Sequence, residues 1–301
     1  MVTCLSALAF MRLTGNSLLH GEVKQTMKLI KQFFLQFLCV LFLLLAVNVT
    51  TVSAAKLDHS VWDNLLQKHV HMIRDGQSSE VDYRAFMKAH QELRTYLSQL
   101  SAVSHNTFAG WTKSEQLAFL INAYNAYTVE LILTRYPRLD SIKDLGSLLR
   151  SPWKRKFVPL LGQTLSLDEI EHEIIRKPGD YNEPRIHFAV NCASIGCPAL
   201  LNEAFTGEKL EQQLETVTRA FLADRTRNRY NNQTGRLEVS KIFDWYDDDF
   251  ERGWGGWRSL NQFFAQYADS LTDTPQAEQA VLSGSVRIRH LNYDWKLNDK
   301  K

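Results

Sequence analysis

Two cysteines, Cys192 and Cys197, stand five residues apart in the stretch Arg185-Ile186-His187-Phe188-Ala189-Val190-Asn191-Cys192-Ala193-Ser194-Ile195-Gly196-Cys197-Pro198, just after an apolar run that carries His187. Small residues, Gly196 and Pro198 surround them, where a backbone turns sharply and presents a thiol. Thiols, an imidazole and a turn permit three chemistries. In the first, Cys192 is a nucleophile after a strand over 186–190, with backbone amides nearby as an oxyanion hole. His172 or His187 would take its proton, and Glu171, Asn122 or Asn125 would orient the base or polarise the substrate. On a regular strand His187 and Cys192 face opposite sides, so they meet only if the chain bends after Val190. The plainer role for His187 is a core histidine bonded to a backbone carbonyl. In the second chemistry, Cys192 and Cys197 form a disulfide that shapes a binding loop; their Cys-x4-Cys spacing lacks the two-residue gap of thioredoxin-like redox motifs. In the third, both cysteines with His187 and His172 offer a donor set that suits tetrahedral zinc, at an unspecific spacing. No other cofactor is expected, because no phosphate-binding glycine loop, dinucleotide fingerprint or His-Glu-x-x-His motif is present.

The elements that must position these residues are mostly helical. Val61, Leu65, Leu66, His69 and Ile73 follow helical spacing up to Asp75-Gly76, and a second helix after Asp82-Tyr83 carries Phe86, Leu93, Tyr96, Leu97 and Leu100. The best-defined element covers about residues 112–136. Thr112-Lys113-Ser114-Glu115 is a capping box, the following residues are apolar on most sides, and Pro137 stops the helix. Asn122 and Asn125 lie one turn apart within it, and buried amides need partners, so they tether neighbouring loops or line a site; tethering is the favoured role. Phe157–Leu161 and Gln163–Ser166 read as a hairpin, and Ser166-Leu167-Asp168-Glu169 as a second capping box opening the helix that carries Glu171 and His172. A helix over 209–223, strands over 236–242 and 286–291, and aromatic helices around Trp245 and Trp257 complete the chain. The acids beside aromatics in Asp244–Phe250 suit a cation or sugar site, or more simply a helix start. These elements predict an α+β fold, helix-rich, in which a small, mainly antiparallel sheet accompanies a buried central helix.

The N-terminus has a different character. Met27-Lys28-Leu29-Ile30-Lys31 is basic, Phe33 to Val47 is an apolar run of about 15 residues, and Val52-Ser53-Ala54-Ala55 is small. That order describes a secretory signal peptide with cleavage expected near Ala54 or Ala55 and a true start expected at Met27. Residues 1–55 would be an N-terminal extension plus signal, and residues 56–301 a single domain in a secreted or periplasmic protein. Membrane contact would then be confined to the signal peptide during export. The first 55 residues hold Arg12, Lys24, Lys28, Lys31 and Glu22, so the remainder carries 31 basic and 32 acidic side chains. No basic field remains to recruit nucleic acid. Export also favours a disulfide between neighbouring thiols.

Five blocks taken together resemble the domain of unknown function 547 family. They are Ala118–Ala126, the helix with Leu167-Asp168-Glu169-Ile170-Glu171-His172, Arg185–Pro198, Ser240–Phe250 and Tyr293-Asp294-Trp295-Lys296-Leu297-Asn298. Their order covers roughly 60–298, and Lys296 stands where a small residue such as Ser is expected. The resemblance implies one domain and carries no established activity. From the residues themselves, the leading expectation is a thiol-dependent hydrolase or acyl/amide transferase with Cys192 as nucleophile. The alternatives are a non-catalytic cell-envelope binding protein with a Cys192–Cys197 disulfide-shaped loop, and a zinc-site protein. The substrate or envelope partner is not specified by the sequence.

Overall fold

In a computed structural model, residues 25–36, 56–147 and 150–301 are described here. The chain separates into a unit over Met1–Ser53 and a second over Ala54–Lys301. In the first unit residues 25–36, which include the basic segment from Met27, form a helix. Most of the apolar run and the expected cleavage region lie outside the described residues. No helix among the described residues is long and apolar enough to cross a membrane.

The second unit is built around one long helix. Helices α1 (Ser60–His69), α2 (Tyr83–Lys88) and α3 (His90–Ala102) precede α4 (Lys113–Leu133). Thr112 and Glu115 close the expected capping box at its start: Thr112 Oγ1 accepts from Glu115 N–H, and Glu115 Oε2 accepts from Thr112 N–H at 2.9 Å. Almost every side chain of α4 from Gln116 to Leu133 is buried, as a helix apolar all round requires.

Strands do not form one sheet. Hairpin β1 (Val70–Ile73) with β2 (Ser78–Val81) and hairpin β3 (Val158–Leu160) with β4 (Gln163–Leu165) stand apart. A third sheet joins β5 (Arg229–Asn231) antiparallel to β6 (Arg236–Val239), and β6 parallel to β7 (Arg287–His290). The expected first helix therefore stops at His69, and the residues up to Asp75-Gly76 form a strand and turn. Val70 and Ile73 are β-branched and pair with Val81 and Ser78, which overrides their helical spacing.

The expected strand over 186–190 is instead a short, tight helix, Pro184–Phe188. Pro184 presets the backbone at its first turn, the Glu183 carboxylate accepts from Arg185 N–H at 3.0 Å, and Ala189 N–H donates to Ile186 C=O. A short apolar run buried on all sides carries no period that separates strand from helix. The preceding helix, Glu169–Ile175, is wide: Arg176 N–H donates to Glu171 C=O, five residues back. Helix α5 (Leu210–Ala223) packs against Pro184–Phe188, and α6 (Ile242–Trp245) and α7 (Asp247–Glu251) follow β6.

Candidate functional site

The cysteine loop is pinned from three sides. From α4, Asn125 Nδ2 donates to Ala189 C=O at 3.0 Å and its Oδ1 accepts from Asn191 N–H at 2.8 Å. From below, the buried Arg227 guanidinium donates to Cys197 C=O and Gln77 C=O and pairs with Asp224 at 2.6 Å. From the C-terminus, a returning segment bridges the loop: Ile195 N–H donates to Lys296 C=O at 2.8 Å and Gly196 N–H to Asp294 C=O at 2.9 Å. Gly196 is required here because any Cβ would meet the Tyr293 ring at 2.9 Å. That return carries Tyr293 and Trp295, far away in sequence, onto the cysteines.

Cys192 and Cys197 form a disulfide with Cα atoms 6.1 Å apart. The Cys192 sulfur has the hydroxyls of Tyr293 at 3.0 Å and Ser194 at 3.2 Å as its polar neighbours, not an imidazole. The bond forms part of the wall of a cavity of about 240 Å³. Trp153, Trp245 and Trp295 make its partly exposed rim, Tyr124, Tyr246 and Tyr293 its walls, and Glu171 and His187 its buried interior. The rings brace each other: Tyr293 and Trp295 centroids are 4.5 Å apart, and Trp245 lies 4.9 Å from Tyr293. Larger cavities exist, such as one of about 400 Å³ beside Lys56 and Glu208, but there the charges are paired, with Lys56 2.9 Å from Glu115 and 3.1 Å from Glu208.

Charge in the site is ordered in layers. Glu171 Oε1 accepts from Tyr246 O–H at 2.8 Å. Burial, reinforced by the Glu171 charge, pushes the Tyr246 and Tyr124 phenols far up, so both stay protonated donors. His187 stacks on Tyr246 with ring centroids 3.9 Å apart, and its Nε2 lies 2.8 Å from Asp249 Oδ2. Burial pushes the imidazole pKa down against the pull of Asp249, so the ring is neutral. Nε2 then carries the proton toward Asp249, which leaves Nδ1 a buried acceptor without a hydrogen-bond partner. Behind it, Asp249 is fully buried and bonded to Arg176 Nε, with Arg252 Nη2 at 3.1 Å from its other oxygen. Burial pushes that carboxyl up, but the hydrogen bonds from His187 and Arg176 win and hold it at about 2.

The structure thus brings together Cys192, His187 and Glu171 of the expected catalytic set and separates the others from them. Asn125 supports the loop from behind, and Asn122 clamps Phe205 through both backbone groups at 2.8 and 3.0 Å. His172 is half-exposed, accepts from Arg176 Nη1 and does not line the cavity. His187 and Cys192 share the cavity because the backbone around His187 is helical, so the strand geometry that opposed them does not apply. For zinc, the four expected donors are otherwise engaged: two in the disulfide, His187 with Asp249 and His172 with Arg176. No group of three or more His, Cys, Asp or Glu placed to hold a metal ion occurs among the described residues. Tyr124, Trp153 and Tyr293 were not anticipated as site residues; Tyr246 and Asp249 fall within Asp244–Phe250, whose acids among aromatics suited a cation or sugar site or, more simply, a helix start.

Replacing both cysteines with serine is expected to lower stability by about 2 kcal/mol, the loop entropy of so short a closure. Denaturant unfolding checks this, and an unchanged midpoint would show that the contacts from Asn125, Arg227 and the return segment hold the loop without the bond.

Comparison with known families places one match on this frame. Residues 108–222 match the family described as "Protein of unknown function, DUF547", a span from just before α4 to the end of α5 that includes the cysteine loop. It is narrower than the expected 60–298. No curated protein and no solved structure matches the chain.

Proposed function

We propose, from the premise that the chain belongs to the DUF547 family through residues 108–222, that it is an exported binding protein whose aromatic cavity holds a small ligand. One observation carries this reading: Cys192 is tied to Cys197 in the cavity wall instead of facing a base. A bond fixing that wall, rings braced against each other and a few buried polar groups are the features of a preformed small-molecule site. The basic, apolar and small-residue order of the N-terminus and the disulfide both support an oxidising compartment outside the cytosol. A ligand-observed NMR screen of small fragments against the oxidised chain tests the proposal. Binders are expected, and Trp245→Ala, at a rim position 41% exposed, should abolish their binding with little effect on folding. Absence of any Trp245-dependent binder would overturn it.

A second reading keeps the thiol chemistry and is favoured by Cys192 and His187 lining one cavity. It applies after reduction, when the Cys192 thiol, beside the Ser194 and Tyr293 hydroxyls, would attack an ester or amide carbonyl, its proton passing by way of His187 Nδ1 to the departing alcohol or amine, and water would then hydrolyse the thioester. Turnover that appears with dithiothreitol and disappears in Cys192→Ser would support it; no turnover in the reduced protein would end it.

A further inference from the structure

We infer that the cavity selects a small organic cation, an alkylammonium head group held between the Glu171 carboxylate and the surrounding aromatic faces. The inference rests on the binding reading above and adds the chemical class of ligand.

Glu171 is buried, yet among the described residues no cationic side chain lies within ion-pair distance of it. Its hydrogen-bond partners are neutral phenols, Tyr246 and Tyr124. Arg176, whose charge is felt by Glu171 without a direct ion pair, is committed to Asp249 and lies against the Tyr246 ring, 4.8 Å from its centroid. A buried carboxylate without a direct ion pair is costly, and a ligand that supplies one recovers part of that cost. Among the described lining residues none is lysine or arginine, and His187 is a neutral acceptor. Rings present a negative face to the cavity wherever a ligand stacks on them, and cations are attracted to such faces. The wall already does this once from outside: the Lys143 ammonium sits 3.5 Å over the Trp295 ring.

Charge excludes the opposite class, since an anion would meet Glu171 with no cation to offset it. A sugar fits poorly for a different reason. It needs several unsatisfied polar groups, whereas the Tyr246 and Tyr293 hydroxyls are already bonded within the protein. A volume of about 240 Å³ suits a head group instead of an extended molecule.

The test titrates the oxidised full chain with choline and, separately, with 3,3-dimethylbutan-1-ol, its uncharged carbon isostere, at constant ionic strength, reading tryptophan emission. Choline is expected to saturate with an affinity roughly tenfold or more above that of the isostere. Glu171→Gln should shrink the difference between the two probes. Equal affinities, or tighter binding of the isostere, would overturn the cation claim while leaving the binding reading intact. Failure of both probes, with Trp245-dependent fragments still bound, would also overturn the cation claim alone. Failure of every probe and fragment would remove the binding reading itself. Should Glu171→Gln not fold, the comparison of the two probes on the native protein still decides.

Discussion

Asp249→Ala is expected to destabilise the protein by about 4 kcal/mol, the cost of stripping one partner from a buried charge cluster. Asp249 is fully buried and serves three groups at once, Arg176, Arg252 and His187. Its removal leaves the half-buried Arg176 guanidinium facing Arg252 without an intervening anion, and leaves His187 Nε2–H unpaired against Tyr246. Urea unfolding at neutral pH measures the loss, and a change below about 1 kcal/mol would mean that the cluster is not a source of stability.

Acid unfolding carries the same signature. The Asp249 carboxyl lies at about 2 when folded and at its ordinary 3.8 when unfolded. The unfolded chain therefore binds the proton first, and the contribution is fully present above about pH 4 and lost as pH falls toward 2. His187 acts in the same direction at higher pH. Its folded pKa is held below the ordinary 6.5 by burial, so below that pH the unfolded chain takes a proton that the native ring refuses. Stability of the native protein should thus decline from about pH 6.5 downward, and Asp249→Ala should flatten the portion below pH 4.

Asn125→Ala is the second large effect, about 3 kcal/mol. The side chain satisfies Ala189 C=O and Asn191 N–H, two backbone groups in the core, and each costs about 1–3 kcal/mol when left unpaired. Because these bonds fix the residues entering the cysteine loop, ligand affinity should fall along with stability. Asn122→Ala is the matched control: it strips the same two kinds of bond from Phe205, which does not line the cavity. It should cost comparable stability and spare binding in the folded fraction. Equal losses of affinity in the two variants would show that Asn125 has no special hold on the site.

What the sequence disclosed follows from the range of the interactions involved. Thr112/Glu115 and Ser166/Glu169 are local, so both capping boxes were legible, and the second closes with Ser166 N–H donating to Glu169 Oε2 at 2.9 Å. The hairpin at Gly162 and the helix ending at Ala223 were legible for the same reason. The tethering role of Asn122 and Asn125 followed from their place in an apolar helix, although their targets did not. Strand β7 was foreseen but its parallel pairing with β6 was not, since that joins residues some fifty positions apart. The cavity was hidden for the same cause. Tyr124, Glu171, Cys192, Trp245 and Tyr293 come from five separate elements, and only the return of the C-terminal segment over Ser194–Gly196 brings the last of them in. In Asp244–Phe250 the helix-start reading fits Asp247 and Asp248, which are exposed in the first turn of α7. Asp249 is turned inward to Arg176 and His187, and no local signal separates it from its two neighbours.

Peptide mapping of the protein isolated without reductant, after trapping free thiols with iodoacetamide, tests the central claim most directly. The expected result is a single peptide carrying both Cys192 and Cys197, two hydrogens lighter than its reduced form, with no alkylation at either position. A carbamidomethylated Cys192 in folded protein would contradict a cavity walled by that bond and return the site to thiol chemistry.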